Sequence, residues 1–335
     1  MRNLWASLIL GIGLVSGQAE EPITRIGFGS CYKPEKSTPL WSKVAEFDPQ
    51  VWLWLGDNVY ADVIDGKYIK KDLPKDAFER AYERLGKSEG MATLQKRLPA
   101  GHVMATWDDH DYGLNDTGKD WERKRDAKKA FVKFWGGEER GDGVYSSRDF
   151  GSDGKRVRVI LLDTRYNRDD PGPNGDILGS RQWKWLEEEL SRPGADLVVI
   201  GSSIQVLASQ HRFEKWANFP RAKARLWEVL KRSGAKGVVF VSGDRHQAEI
   251  SCLRESPLGY PIFDVTSSGL TEAGSGRGEA NDLRVGEAWK ETNFGVLRIE
   301  WSDPEPRVIL EIRGADGAVA RASSIPLQQL APPKG

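Results

Sequence analysis

Several common chemistries are closed to this chain because the residues they need are scarce or missing. Two cysteines in 335 residues, Cys31 and Cys252, cannot build a disulfide-stapled scaffold. Histidine occurs four times, as His102, His110, His211 and His246, so a metal centre made mostly of imidazoles would use nearly all of them. Charge of one sign is not in excess: 49 Lys and Arg balance 49 Asp and Glu. That balance excludes the basic footprint of a nucleic-acid-binding chain. Beyond the N-terminal segment no run is long and apolar enough to span a bilayer, which takes about 20 residues. A P-loop (GxxxxGK(S/T)), a GxSxG nucleophile elbow and an HExxH zinc motif are all absent, which removes their nucleotide, acyl-transfer and zinc chemistries. There is no internal repeat and no low-complexity linker.

What remains is a folded, globular composition, with 39% hydrophobic and 29% charged residues and 13 Trp. Met1-Arg2-Asn3, an apolar stretch from Leu4 to Val15 and the small residues Ser16-Gly17-Gln18-Ala19 have the three-part form of a secretory signal peptide. Residues 1–19 are therefore expected to be a signal peptide, and 20–335 to form one domain. The apolar run is too short for a membrane anchor. The expected location is secreted or periplasmic, where Cys31 and Cys252 meet oxidising conditions.

Strand and helix signals alternate along the rest of the chain. Strands are expected at Arg25 to Gly29, Gln50 to Leu55, His102 to Thr106, Arg156 to Leu162, Leu197 to Ile200, Gly237 to Val241 and Pro261 to Thr266. Phe294 to Glu300 and Arg307 to Arg313 read as a late hairpin. Helices are expected from Pro39 to about Phe47, and at Asp76 to Leu85, Ser88 to Arg97, Trp121 to Trp135, Ser180 to Ser191 and Pro220 to Arg232. The charge runs Arg123-Lys124-Arg125 and Glu187-Glu188-Glu189 read as solvated helix faces. Gly136 to Gly143 and Ala273 to Gly278 read as loops. This order predicts an α/β layered fold.

The polar residues are concentrated at strand ends. Cys31, Asp57, the pair Asp108-Asp109, and Asp244 each follow an apolar strand. In open α/β sheets those ends meet on one rim, where ligands bind. Taken singly, each has a bland reading: an inert buried thiol, a turn residue, a cap. Together they crowd carboxylates that repel one another unless a cation neutralises them, which is the physical case for a metal centre. Asn58, Tyr60, His110, Asp111 and His246 lie beside them. His102 reads as structural, His211 is unassigned, and Gln205 is expected near the site.

Phe28-Gly29-Ser30-Cys31-Tyr32, Gly56-Asp57-Asn58-Val59-Tyr60, Trp107-Asp108-Asp109-His110-Asp111-Tyr112-Gly113 and Ser242-Gly243-Asp244-Arg245-His246 resemble, in order, the motifs of the PhoD-like alkaline phosphatases. These belong to the calcineurin-like metallophosphoesterases. The resemblance implies a four-layer α/β/β/α sandwich and phosphoric ester hydrolysis at a two-metal site holding Fe³⁺ and Ca²⁺. By that similarity Asp57 bridges the metals, and Cys31, Tyr60 and His246 complete the iron site. Asp108 or Asp109, with Asp244, holds calcium. His110, helped by Asp111, assists the leaving group, and Arg165 or Arg245 contacts the phosphate. Thiolate and phenolate suit a ferric ion and carboxylates suit Ca²⁺, in keeping with the low histidine count. The implied substrate is a small phosphate ester or a phospholipid-like diester. A phospholipase-type phosphodiesterase and an inactive secreted binding domain are the alternatives.

Overall fold

The computed structural model describes residues 21–136, 141–152, 154–274, 279–302 and 304–332. The expected signal peptide, and most of the glycine-rich stretch ending at Gly278, lie outside the described residues.

The first half of the chain supplies β1 (Arg25–Gly29), α1 (Leu40–Phe47), β2 (Val51–Leu55), a two-stranded hairpin of β3 (Val63–Ile64) and β4 (Lys67–Tyr68), α2 (Ala77–Gly86), α3 (Glu89–Arg97), β5 (Val103–Thr106), the single turn α4 (Asp109–Tyr112) and α5 (Lys124–Trp135). The second half supplies β6 (Ser146–Phe150), β7 (Val157–Leu161), α6 (Gly179–Ser191), β8 (Leu197–Ser202), α7 (Pro220–Ser233), β9 (Val238–Ser242), β10 (Ala248–Leu253), β11 (Ile262–Ser267), β12 (Asn293–Glu300), β13 (Arg307–Gly314) and β14 (Val319–Pro326).

The strand Val51-Trp52-Leu53-Trp54-Leu55 shows how the layers arise. All five residues are buried, and alternate side chains of a strand point to opposite faces. Val51, Leu53 and Leu55 join the core that extends through the second sheet, whereas Trp52 and Trp54 join a separate aromatic core. That second core also holds Trp41 of α1, Phe78 of α2, Leu94 of α3 and Phe131 of α5, so these helices cover the outer face of the first sheet. Trp183 and Leu186 of α6 and Leu226 and Leu230 of α7 pack in the larger core with the second sheet. The order of layers is helix, sheet, sheet, helix, as the family resemblance implies.

The first sheet runs β14-β13-β12-β1-β2-β5 and the second β10-β11-β9-β8-β7-β6. Parallel pairing joins β1 to β2 and β2 to β5 in the first sheet, and β7, β8, β9 and β11 in the second. Their carboxyl ends therefore share one rim. The expected late hairpin is present and continues into β14.

The sequence reading missed β3, β4, β6, β10 and β14. In β10 the alternation is masked because Glu249 and Ser251 are buried polar residues, satisfied by Gln205, Asn281 and Arg284. His102 lies just before β5, where its Nδ1 is 2.7 Å from the Gln50 carbonyl, a structural role as expected. Arg123 departs from the solvated-face reading, since its guanidinium donates to the carbonyls of Leu73, Pro74 and Lys75.

Gly56 ends β2 at φ +97°, and a Cβ there would lie 2.5 Å from Asp108 Cβ and 2.8 Å from Asp108 N. Gly56→Ala combines left-handed strain with a backbone clash and is expected to destabilise the fold by roughly 2 kcal/mol or more. An unchanged urea midpoint would show that this close approach is not needed.

Candidate metal centre

The ends of β1, β2 and β9 carry their functional side chains on a backbone bent into the left-handed region, whereas Asp108 after β5 is extended. Cys31 has φ 59°, Asp57 48°, Asp244 70° and His246 52°. Asp and His adopt this region more readily than most residues, but Cys seldom does. The bends turn the side chains after β1, β2 and β9 toward one another, and strain of this kind is retained where surrounding contacts hold it. The two sheets meet tightly here. A Cβ on Gly243 would lie 2.6 Å from Ser30 Oγ and 3.0 Å from the Leu55 carbonyl, so only glycine fits.

The resulting cluster is compact. Cys31 Sγ donates to Asp57 Oδ2 at 3.4 Å and lies 3.2 Å from Ser268 Oγ. Tyr60 Oη donates to the same Asp57 oxygen at 3.3 Å and lies 3.5 Å from His246 Nε2. Ser268 Oγ also accepts from the His246 backbone N–H at 2.7 Å, which fixes that loop. Among the described residues three sets of potential ligand atoms each lie within 4.8 Å of one another: Cys31, Asp57 and His246; Asp57, Asp109 and His110; and Asp109, Asp116 and Glu214. Asp57 belongs to the first two. Its Oδ1 is buried and accepts from no N–H or hydroxyl donor among the described residues.

Burial of so many acidic groups makes their charged forms unfavourable. Burial, aided by the Asp244 charge, pushes the Cys31 thiol up to about 12. Burial, and then the neighbouring Cys31, Asp109 and Asp108, drives Asp57 well above the usual carboxylate range. Tyr60 rises well above its usual value for the same reasons. Burial, with Asp109 and Glu214, raises Asp244 to about 6 despite Arg245. A cation placed among these atoms would reverse the preference, and the donor set suits one: a thiol, a phenol, an imidazole and carboxylates around an oxygen lacking a donor.

His110 is the cationic counterpart. Burial opposes its charge, but Asp109, Asp57 and Asp62 outweigh that and hold it well above its ordinary value. Its Nδ1 is 2.9 Å from both Asp62 carboxylate oxygens. Its ring stacks on Tyr60 with centroids 4.4 Å apart. Asp109 accepts from the backbone N–H groups of His110 and Asp116. Burial works against its charge, but His110 and Arg165 hold it below the usual carboxylate range.

Some expected roles do not match this geometry. Asp111 does not face the His110 ring. It accepts from the backbone N–H of Asp108 at 3.0 Å and of Asn58 at 3.2 Å and from Tyr82 Oη, so it ties two loops together. The partner of His110 is Asp62, which the sequence reading overlooked although it lies two residues past Tyr60. Arg165 is fully buried and cannot reach a substrate. It pairs at 2.5 Å with both Asp108 Oδ1 and Glu214 Oε2. Asp108 Oδ1, also bonded to Ser203 Oγ, is thereby engaged, while its Oδ2 is buried with no donor among the described residues; Asp108 belongs to none of the three ligand sets. Gln205 faces Glu249 and Thr266 within the second sheet, not the site. Asp244 and Arg245 line the cavity over the cluster, and Arg245 is held by Asp244 and Glu279. Asp116 and Glu214 come from loops whose sequence carries no strand-end signal.

Comparison with known proteins agrees with this arrangement. The family model described as PhoD-like phosphatase matches residues 26–292. The chain belongs to the PhoD-like phosphatase family. Family membership makes it a metal-dependent phosphoric ester hydrolase acting on phosphate esters. No curated protein sequence matches it. Among solved structures it resembles PhoD (16% identity, TM-score 0.68, covering 91% of this chain and 69% of that one). It also resembles purple acid phosphatase PPD1 from yellow lupin, Lupinus luteus (14%, TM-score 0.63, 92% and 54%). A third is GAP50, named as the anchor in the inner membrane complex of Plasmodium (14%, TM-score 0.60, 94% and 90%). At these identities the structures attest the family's fold, the metallophosphoesterase sandwich. No helix among the described residues is long and apolar enough to cross a membrane.

The raised Asp57 carboxyl has a consequence for stability. A carboxyl whose folded value exceeds its unfolded value destabilises the fold at pH above the folded value, and the deficit disappears as pH falls toward 3.8. In metal-free protein Asp57 therefore contributes a gain in stability on mild acidification, opposed by His211 and His246, whose burial holds them below their ordinary value of 6.5. Asp57→Asn is expected to raise the melting midpoint of chelator-treated protein at neutral pH by roughly 2–4 °C and to abolish the rise that added cations give the native chain. A lower midpoint in the metal-free variant would contradict the account.

Proposed function

We propose that this protein is an exported phosphate-ester hydrolase with two cations on the rim, ferric iron and calcium. The observation that carries the reading is Asp57, shared by two sets of ligand atoms with one oxygen lacking a donor. Cys31, Asp57, Tyr60 and His246 would hold the iron, since thiolate and phenolate suit a ferric ion. Asp57 and Asp109, with Asp244 at the cavity wall, would hold the calcium through hard oxygen donors. When bound, the cations neutralise phosphate oxygens and make a water acidic enough to attack phosphorus. The form of Met1 to Ala19 supports export.

The chain's own residues do the rest. Asp62 engages His110 at Nδ1, which leaves Nε2 as the ring nitrogen able to meet substrate. The Asp62 carboxylate at Nδ1 favours the protonated ring, so it can donate a proton to the departing alkoxide. Arg245 lines the cavity near the expected phosphate position, oriented by Glu279. Asp111 holds the two loops that carry Asp57 and His110.

The test is reconstitution with iron and calcium, followed by metal analysis, a visible spectrum and turnover of matched monoesters and diesters. Expected are bound metal, colour from thiolate or phenolate on ferric iron, and hydrolysis. Asp57→Ala should lose both metal and turnover; full metal content with full activity in that variant would refute its role. Preference for the diester would favour a phosphodiesterase acting on phospholipid-like substrates. Full metal occupancy with no turnover of any ester would favour a binding protein on this fold.

Asp62→Asn is expected to keep the metal and lower kcat by about 10²-fold. Loss of the Asp62 charge lowers the His110 value, so the alkaline limb of the pH–rate profile should move to lower pH. An unchanged limb would remove Asp62 from the mechanism.

A further inference from the structure

Large hydrophobic side chains are exposed at three described positions, Tyr68, Phe213 and Val319. Two of these border the site. Tyr68 lies 5.5 Å from the His110 ring. Phe213, 40% exposed, lines the same cavity of about 610 Å³ as Asp57, Asp109 and His246. A cavity of that size falls in the roughly 300–1,000 Å³ range of pockets that enclose whole small organic molecules. It is far larger than a phosphoryl group requires, so its outer wall meets the part of the ester that leaves.

The exposure of Phe213 is built into the loop between β8 and α7. Val206 and Leu207 donate their backbone N–H groups to Asp264 Oδ2 at 2.8 and 3.0 Å. Trp216 Nε1 donates to Ser202 Oγ at 3.0 Å, and Lys215 Nζ to the Phe213 carbonyl at 3.0 Å. His211, Glu214 and Lys215 are buried around it, while Arg212 and Phe213 face outward. The guanidinium of Arg245 lies 3.9 Å from the Phe213 ring centroid and that of Arg212 lies 4.9 Å from it. Arg245 is buried and fixed by Glu279. Arg212 is exposed and forms no ion pair with the described residues, so it can move aside or stack. A phenyl ring beside guanidinium planes is a surface on which flat aromatic rings bind, by stacking and by cation–π attraction.

Building on the phosphoesterase reading, we propose that Phe213 and Arg212 form a leaving-group subsite that selects phosphate esters carrying a planar aromatic ring, with nucleoside phosphates as the fitting class. The scissile phosphate sits over the Asp57 cluster, and the ring of the leaving alcohol stacks at the Phe213 wall.

The test compares kcat/KM for adenosine 5′-monophosphate and glycerol 3-phosphate, each also offered as its methyl diester, on the metal-loaded full chain. Both leave as primary alkoxides, so intrinsic reactivity is matched and the ratio reports on the ring. Native protein should favour the adenosine ester, Phe213→Ala should lower the adenosine-to-glycerol ratio about tenfold, and Phe213→Tyr should restore it. Adenosine alone should inhibit the native chain competitively, with an inhibition constant about tenfold weaker in Phe213→Ala. An active enzyme whose ratio is the same in native and Phe213→Ala protein overturns the subsite while leaving the phosphoesterase reading intact. A metal-loaded native chain that turns over none of the esters removes both.

Discussion

The centre of this molecule is a problem of like charge. Asp57, Asp108 and Asp109 are buried at the ends of strands of the first sheet, half-buried Asp244 meets them from the second, and Cys31 and Tyr60 lie beside them. Buried carboxylates in such numbers repel one another, and burial penalises each of them. The fold answers part of the problem with its own cations. Arg165 pairs with Asp108 and Glu214, Arg168 with Glu214, and Arg245 with Asp244 and Glu279. His110 is held charged by Asp57, Asp62 and Asp109. Asp57 shares His110 with Asp62 and Asp109 and keeps one oxygen without a donor among the described residues, and with Cys31 and Tyr60 beside it this is the set whose donors suit a metal.

The rest of the architecture serves that arrangement. Parallel strands bring their carboxyl ends to one rim, and left-handed residues at Cys31, Asp57, Asp244 and His246 aim the side chains inward. Gly56 and Gly243 let the loops approach within contact of Asp108 and Ser30. The Trp-rich layer under α1, α2, α3 and α5 and the aliphatic core of the second sheet hold the strands that carry these loops. The strain at the rim is sustained by packing elsewhere, which is the usual bargain between stability and function.

Much of this was legible in the sequence, and the rest was not for definite reasons. The apolar strands ending in Asp or Cys stand out because a strand buried on both faces leaves no ambiguity about where it stops. Val51 to Leu55 and Val238 to Ser242 are of this kind. Strands such as β10 and β14 were hidden, because buried polar residues or an exposed edge blur the alternation of period two. Roles within the cluster were less legible than its membership. Asp111 is adjacent in sequence to His110 yet points into the loop, while Asp62, 48 residues away, makes the contact. Arg165 looked like an anion binder because it follows a strand, but only the fold reveals Asp108 and Glu214 around it. Sequence neighbours predict which residues reach a rim. They do not predict which partners share a proton or a charge there, since those partners arrive from other strands.

The Arg165–Asp108 contact joins residue 165, which follows a strand of the second sheet, to residue 108, which follows a strand of the first. Each sheet thus depends on a counter-ion delivered by the other, across 57 residues of chain. Removing one partner of a buried ion pair costs about 3–5 kcal/mol. Neither half is therefore equipped to become a free-standing unit: a polypeptide severed between α5 and β6 would leave the Asp108 carboxylate naked in one fragment and Arg165 with Glu214 alone in the other, and only their reassembly would restore both contacts.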